Sequence, residues 1–322
     1  MRINKKLLTA VLAAALVPGS YTISAMAAKD KTGLGHDYRT FYQGGKIDYG
    51  KIGDSYKSDL VMYLAGNQFM VIEDLMKDFL KKHPDIKSVY VETIPPGQIF
   101  KKQLLKQGEI DGQKTNMNPD LFASVNQNHL KKLIKKGRAE QYMIYTHNKL
   151  ELMVKKGNPK GIKGPKDLAR DDLVKSLPNP LTEGIFKFYG SEMLKDLDIH
   201  AKVTGDKKCK SCWAVAGKTW FTSRHHRETP YRIEKGEADV GIVWATEVAH
   251  AKALGRELDG VAIPAPFNKQ DKVGYAIGAI KQGKNQTNAA KFLAYLASND
   301  AQNIYAKFGF LKASTDDLKM RK

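Results

Sequence analysis

From residue 59 onward, apolar and polar positions alternate between two regimes. Residues 60–65 (Leu-Val-Met-Tyr-Leu-Ala) form a short continuous apolar run, the pattern of a buried strand. The run breaks at Gly66-Asn67-Gln68. Val71, Ile72, Leu75, Met76, Phe79 and Leu80 then recur at helical spacing until His83-Pro84 stops them. The unit repeats, with a strand at 89–91, a turn at Pro95-Pro96-Gly97-Gln98 and a helix over 99–107. A third strand covers 120–123, and Asn126-Gln127-Asn128 opens a helix whose buried face is Leu130, Leu133 and Ile134. Residues 150–154 read as a longer strand, followed by a loop dense in Gly, Lys and Pro over 155–164. A second series follows. Thr182 is expected to cap a helix through Leu197, residues 240–244 form a buried strand, and Ala245-Thr246-Glu247 turns into another helix. After a strand over 273–280 the chain closes in helices over 289–297 and 301–308.

Strands alternating with helices predict an α/β fold of mostly parallel sheets flanked by helices. In such sheets ligands bind beyond the carboxyl ends of the strands, at the turns that lead into helices. Residues 28–57 show no sustained period and read as an irregular leader. No internal repeat is strong enough to suggest a solenoid.

The first residues read differently. Arg2, Lys5 and Lys6 precede an apolar run from Leu7 to Val17, and Ala25-Met26-Ala27 has the form of a cleavage site. The run is shorter than the ~20 residues that a membrane span needs. Residues 1–27 are therefore expected to be a cleavable signal peptide. With no cysteine at the cleavage site, no lipoprotein anchor is expected. Retention then requires an outer membrane, which points to the periplasm.

The formal net charge is +19, and the signal accounts for little of it. In an exported protein such charge suits anionic solutes, lipid head groups or acidic protein faces rather than nucleic acid. Many of the lysines, such as Lys131, Lys132, Lys135 and Lys136, fall on polar helix faces. The two cysteines are Cys209 and Cys212. Trp213 follows them where a c-type haem site needs His, and no second cysteine pair exists to complete a zinc site. An oxidising compartment favours a local disulfide; a redox-active pair is the alternative, because flanking lysines lower thiol pKa values.

Several segments together carry a family resemblance. They are residues 119–124 (Pro-Asp-Leu-Phe-Ala-Ser), Lys155-Lys156-Gly157-Asn158-Pro159 with Gly164-Pro165-Lys166-Asp167-Leu168, residues 237–244 ending in Trp244, and residues 292–296 through Tyr305-Ala306-Lys307-Phe308-Gly309-Phe310. With these the chain resembles the type II periplasmic solute-binding proteins of ABC transporters. It is most similar to the branch of molybdate-, tungstate- and sulfate-binding proteins and accessory-colonisation-factor adhesins. The resemblance implies two lobes with the ligand cleft between them: lobe 1 over 58–141 and 261–322, lobe 2 over 142–260. It also implies a permease partner and no catalysis. A monomer without cofactor or metal is expected.

Carried over by position, the resemblance places Asn67 and Gln68, Gly97 and Gln98, and Ser124 and Asn126 at the ligand turns of lobe 1. In lobe 2 it places Thr182, Glu183 and Gly184, the turn before Pro230, and the end of the Trp244 strand. Orphan N–H groups and the helix dipole favour an anion at such turns. Two departures weaken molybdate as the ligand. Asn67-Gln68 replaces a serine, and Trp244 replaces a tyrosine. Glu183 and Glu247 near the cleft would repel a dianion unless they pair with a base. An organic acid or a zwitterion fits at least as well as an oxyanion.

The densest cluster of chemistry is Arg224-His225-His226-Arg227-Glu228-Thr229-Pro230. Thr229 reads as a helix cap with Pro230 at the first helical position, which puts the basic residues in the preceding loop. Arg227 and His226 are the candidates to contact an anionic ligand. The alternative pairs Arg227 with Glu228 or Glu247. Two other function classes compete with solute binding. A hydrolase using the histidine pair lacks HExxH and G-x-S-x-G motifs. An adhesin on the same fold suits the basic surface.

Overall fold

A computed structural model describes residues 36–50, 57–110 and 112–322. The expected signal peptide and parts of the leader lie outside these residues. Among the described residues the strands form an eight-stranded sheet, a six-stranded sheet and a two-stranded ribbon. In chain order they are β1 (Tyr38–Tyr42), β2 (Ile47–Asp48), β3 (Leu60–Ala65), β4 (Ser88–Ile94), β5 (Glu109–Ile110), β6 (Gln113–Lys114), β7 (Leu121–Ser124), β8 (Met143–His147), β9 (Leu150–Lys155), β10 (Lys175–Leu177), β11 (Cys212–Val215), β12 (Thr219–Phe221), β13 (Val240–Trp244), β14 (Leu258–Ala262), β15 (Gly274–Ala279) and β16 (Leu311–Lys312). The helices are α1 (Ile72–Lys82), α2 (Pro96–Ile99), α3 (Asn128–Lys135), α4 (Ser191–Asp196), α5 (His200–Thr204), α6 (Glu228–Glu234), α7 (Ala245–Ala253), α8 (Gln286–Leu296) and α9 (Asn299–Lys307).

The first sheet runs β16-β8-β15-β7-β3-β4-β1-β2 and the second β11-β12-β10-β13-β9-β14. β3 lies parallel to β4 and β7, and β10 lies parallel to β12 and β13. β15, β9 and β14 run antiparallel to their neighbours. Every residue of β3 and of β13 is buried, as their unbroken apolar runs require. Apolar helix residues such as Leu75, Met76 and Phe79 of α1, and Leu130 and Leu133 of α3, cover the first sheet on opposite faces. Two lobes result. The chain crosses between them at residues 148–149 and again at 263–273.

Four expectations change. The first crossing follows His147 rather than Gln141, because β8 pairs with β15 and β16 of the first sheet. The leader is not wholly irregular: β1 pairs antiparallel with β4 along its whole length, from Tyr38 opposite Glu92 to Tyr42 opposite Ser88. The helix expected over 99–107 is shorter, a turn at Pro96–Ile99 followed by a wide π turn over Phe100–Leu104. The helix after Thr182 likewise opens on a π turn, Ile185–Gly190, before α4.

Cys209 and Cys212 are joined by a disulfide at the start of β11. Closing so short a loop is expected to contribute about 2 kcal/mol. Paired Cys209→Ser and Cys212→Ser substitutions should lower stability by that amount in a urea titration and leave the slope of the transition unchanged. A second position tests the packing of the second sheet. A Cβ at Gly241 of β13 would sit 2.1 Å from Thr229 Cγ2 and 2.4 Å from the Ser176 carbonyl oxygen. Gly241→Ala should therefore cost about 1–3 kcal/mol, read as a lowered melting temperature.

Candidate functional site between the lobes

The lobes meet where strands end. β3 runs into a 3-10 turn, Gly66–Met70, that buries Asn67 and Gln68. Asn67 Nδ2 donates to the Tyr275 hydroxyl at 2.6 Å, and Asn148 at the crossing donates to Thr246 Oγ1 at 3.0 Å. Gln68 turns elsewhere and accepts from the Tyr305 hydroxyl of α9 at 2.7 Å. Gly97 lies against lobe 2: a Cβ there would be 3.0 Å from the Thr182 carbonyl oxygen. Gln98 beside it is half-buried. Gly184 touches lobe 1, where a Cβ would be 2.6 Å from Val125 Cγ2. The Tyr189 hydroxyl donates across the junction to the Val125 carbonyl at 2.8 Å.

Ser124 at the end of β7 bonds His129 Nδ1 at 2.9 Å. His129 stacks on Phe100 with ring centroids 4.7 Å apart. Burial, aided by Lys187, Lys132 and Lys101, pushes its imidazole down to about 4, so it is neutral at physiological pH. The Asn126 side chain accepts from the Asn128 backbone N–H at 2.9 Å and sets the first turn of α3. In lobe 2 the organising residue is Asn179 rather than Thr182. Its Oδ1 accepts from the backbone N–H groups of Leu181 and Thr182 and from the Thr182 hydroxyl, at 2.9–3.0 Å.

Two candidates separated in sequence, Glu183 and Glu247, close on a third. His226 Nδ1 lies 2.6 Å from Glu183 Oε2, and Nε2 lies 2.8 Å from Glu247 Oε1. The second contact is an ion pair by distance but is not aligned as a hydrogen bond. All three groups are buried. Burial alone would push the imidazole down, but the two carboxylates outweigh it and raise it to about 10. Glu247 Oε2 also accepts from the Trp244 backbone N–H at 3.2 Å and caps α7. The Trp244 ring sits 5.7 Å from Tyr189 and 5.8 Å from Tyr275, centroid to centroid. The repulsion expected from two carboxylates is thus met by a charged histidine.

The basic loop is built differently from its sequence reading. α6 starts at Glu228, so Thr229 lies inside the helix, where its hydroxyl meets Ser176 Oγ at 3.1 Å. The Glu228 carboxylate closes the loop by accepting from the backbone N–H groups of Ser223 and Arg224 and from the Ser223 hydroxyl. Arg227 pairs with neither Glu228 nor Glu247. Its Nη2 lies 2.9 Å from Asp37 Oδ1 and 2.6 Å from the Thr93 carbonyl, with the Phe69 ring 4.6 Å from its guanidinium carbon.

The structure therefore brings together Asn67, Trp244, Glu183, His226 and Glu247 around Tyr275, Tyr189 and Asn148. Gln68 and Ser124 are engaged within lobe 1. A cavity of about 290 Å³ opens beside this group, lined by Asn126, Asn128, Lys131, Phe188, Tyr189 and Lys272. Tyr275, Asn148, Asn179 and Asp37 were missed by sequence reasoning. Asn148 alone carried a local signal, as a polar residue between two strand-like runs.

The raised imidazole gives a pH test. Below its ordinary value near 6.5, His226 is protonated both folded and unfolded, and the pairing contributes fully. As pH climbs toward about 10, only the folded protein holds the proton, so the contribution fades and is then lost. Stability of the unmodified protein should fall more steeply between pH 7 and 10 than that of His226→Gln, in parallel urea titrations. Parallel slopes would count against the charged triad.

Comparison with known proteins fits this architecture. Residues 60–311 match the family model of the bacterial extracellular solute-binding proteins. A Bacillus subtilis protein named as an ABC transporter substrate-binding lipoprotein is 24% identical over 257 residues, covering 79% of this chain and 86% of its own. The periplasmic molybdate-binding protein of Azotobacter vinelandii superposes with a TM-score of 0.60 at 18% identity, over 79% of this chain and all of that one. L-phospholactate-bound PEB3 superposes with a TM-score of 0.54 at 19% identity, over 79% and 100%. The chain belongs to the bacterial extracellular solute-binding protein family.

Proposed function

We propose that the protein captures a small acidic solute between its lobes, in the periplasm, and delivers it to the permease of an ABC transporter. One observation carries the placement. Asn67 Oδ1, Glu183 Oε1 and Trp244 Nε1 are buried at the lobe junction without a hydrogen-bond partner among the described residues. An unsatisfied buried polar group costs about 1–3 kcal/mol, a cost that a molecule bound at the junction would offset for these three atoms. Two are acceptors and one is a donor. A solute with both an acid oxygen and a hydroxyl or amine hydrogen serves all three, which favours an organic acid over a fully deprotonated oxyanion. Of the residues lining the cavity, Lys131 adds positive charge to the approach, while Lys272 is paired with Glu192.

Support also comes from the relatives, named for molybdate and for L-phospholactate. The address rests on the expected signal peptide and on an extracellular family. Among the described residues no helix is long and apolar enough to cross a membrane.

Native mass spectrometry of the purified protein should show a small-molecule adduct. A thermal-shift panel of sulfate, molybdate, phosphate monoesters and short carboxylic acids should then identify its class. A ligand at a hundred times its dissociation constant adds about 2.7 kcal/mol to stability. Asn67→Ala and Glu183→Ala should each reduce that shift while the unliganded proteins stay folded. No adduct and no shift with any member would sink the proposal.

A further inference from the structure

One carboxylate joins the lobes at the basic loop. Asp37 precedes β1, and its own backbone is fixed to lobe 1, where the Thr93 N–H donates to the Asp37 carbonyl at 2.8 Å. Its side chain reaches across to lobe 2. There it lies 2.9 Å from Arg227 Nη2, 3.0 Å from His225 Nε2 and 3.5 Å from Arg224 Nη2. Arg224 also donates to the Tyr38 hydroxyl at 2.7 Å. Among the described residues, two guanidinium groups and an imidazole thus converge on the Asp37 carboxylate. Burial would raise its pKa, but His225, Arg227 and Arg224 hold it well below the usual carboxylate range.

Two details separate this from an ordinary surface ion pair. The first is depth. The Arg227 side chain is 2% exposed, whereas those of Asp37 and Arg224 are 18% and 25% exposed, so a buried cation lies beneath a partly open rim. The second is origin. The basic loop falls within residues 60–311, which the family model matches, and Asp37 falls before them. The basic loop lies in the matched segment, and the carboxylate facing it comes from the arm that precedes that segment.

The geometry points to a carboxylate-binding site formed by Arg224, His225 and Arg227, filled by Asp37 of the N-terminal arm, for which the acid group of a solute competes. This rests on the reading that an organic acid enters between the lobes. A tethered occupant holds the site at a high effective concentration, so the arm lowers the apparent affinity for external acids. Asp37 is then a specificity-setting residue: it admits an acid that gains enough contacts elsewhere at the junction and excludes a bare carboxylate.

Removing the side chain while supplying its chemistry from outside tests this. The probes are sodium formate and sodium acetate, with sodium chloride at equal ionic strength as control. Asp37→Ala should melt below the unmodified protein. At ten times its dissociation constant, formate should then raise the melting temperature of the variant by about 3–6 °C more than that of the unmodified protein. Adding Arg227→Met should abolish the extra shift. Asp37→Asn keeps the space filled without the charge and should show no formate response. If Asp37→Ala is insoluble, its refolding yield in formate against chloride reads the same competition. Equal formate responses in the unmodified protein and Asp37→Ala, or a yield indifferent to the anion, overturn the site. Formate rescue with no solute found by the panel would leave this site standing and remove the transport reading; the reverse outcome would do the opposite.

Discussion

Charges buried between the lobes must neutralise one another, and the geometry of the junction follows from that. Taking a carboxylate or a guanidinium out of water costs several kcal/mol per ion, and removing one member of a buried pair typically costs about 3–5 kcal/mol. Glu183 and Glu247 are tolerated beneath Trp244 because His226 stands between them and keeps its proton. Arg227 is tolerated against Phe69 because Asp37 and the Thr93 carbonyl face it. Each lobe supplies part of each set's surroundings, so the relative placement of the lobes and the state of these charges are one problem.

Local pattern made much of the framework legible. The strand over 60–65, the helix from Ile72 and the strand over 240–244 match β3, α1 and β13, because an unbroken apolar run and a 3.6-residue period are short-range signals. Starts of helices were read less well. Thr182 and Thr229 have the side chain of a cap, but neither helix start carries a side-chain cap. Asn179 and Glu228 instead close the turns ahead of the helices, accepting from Leu181 and Thr182 and from Ser223 and Arg224, and packing rather than local sequence decides this. β8 was assigned to the wrong lobe because pairing with β15 joins residues far apart in the chain.

Sequence reading names candidates for the site and not their pairings. Of these, Glu183, His226 and Glu247 contact one another, Glu247 accepts from the Trp244 backbone, and Asn67 bonds Tyr275. Their contacts span 43 residues in the case of His226 and Glu183, and 190 in that of Arg227 and Asp37. No periodicity encodes such distances. The family assignment supplies the fold and the solute-binding role, and leaves the charged side chains at the junction to be read from the structure. They differ from a simple oxyanion cradle by carrying ionised groups of both signs.

The N-terminal arm has a second role besides supplying Asp37. In the strand order of the first sheet, β1 and β2 lie outside β4, so the arm covers a strand, buried in all but Ser88, whose ladder groups would otherwise be bare on that side. A chain begun at residue 60, where the family match starts, would expose that edge as a template for pairing with other chains. The start of the family match and the edge of the first sheet are therefore different positions in this protein, and shortening the chain to the matched residues would leave β4 as an unpaired edge.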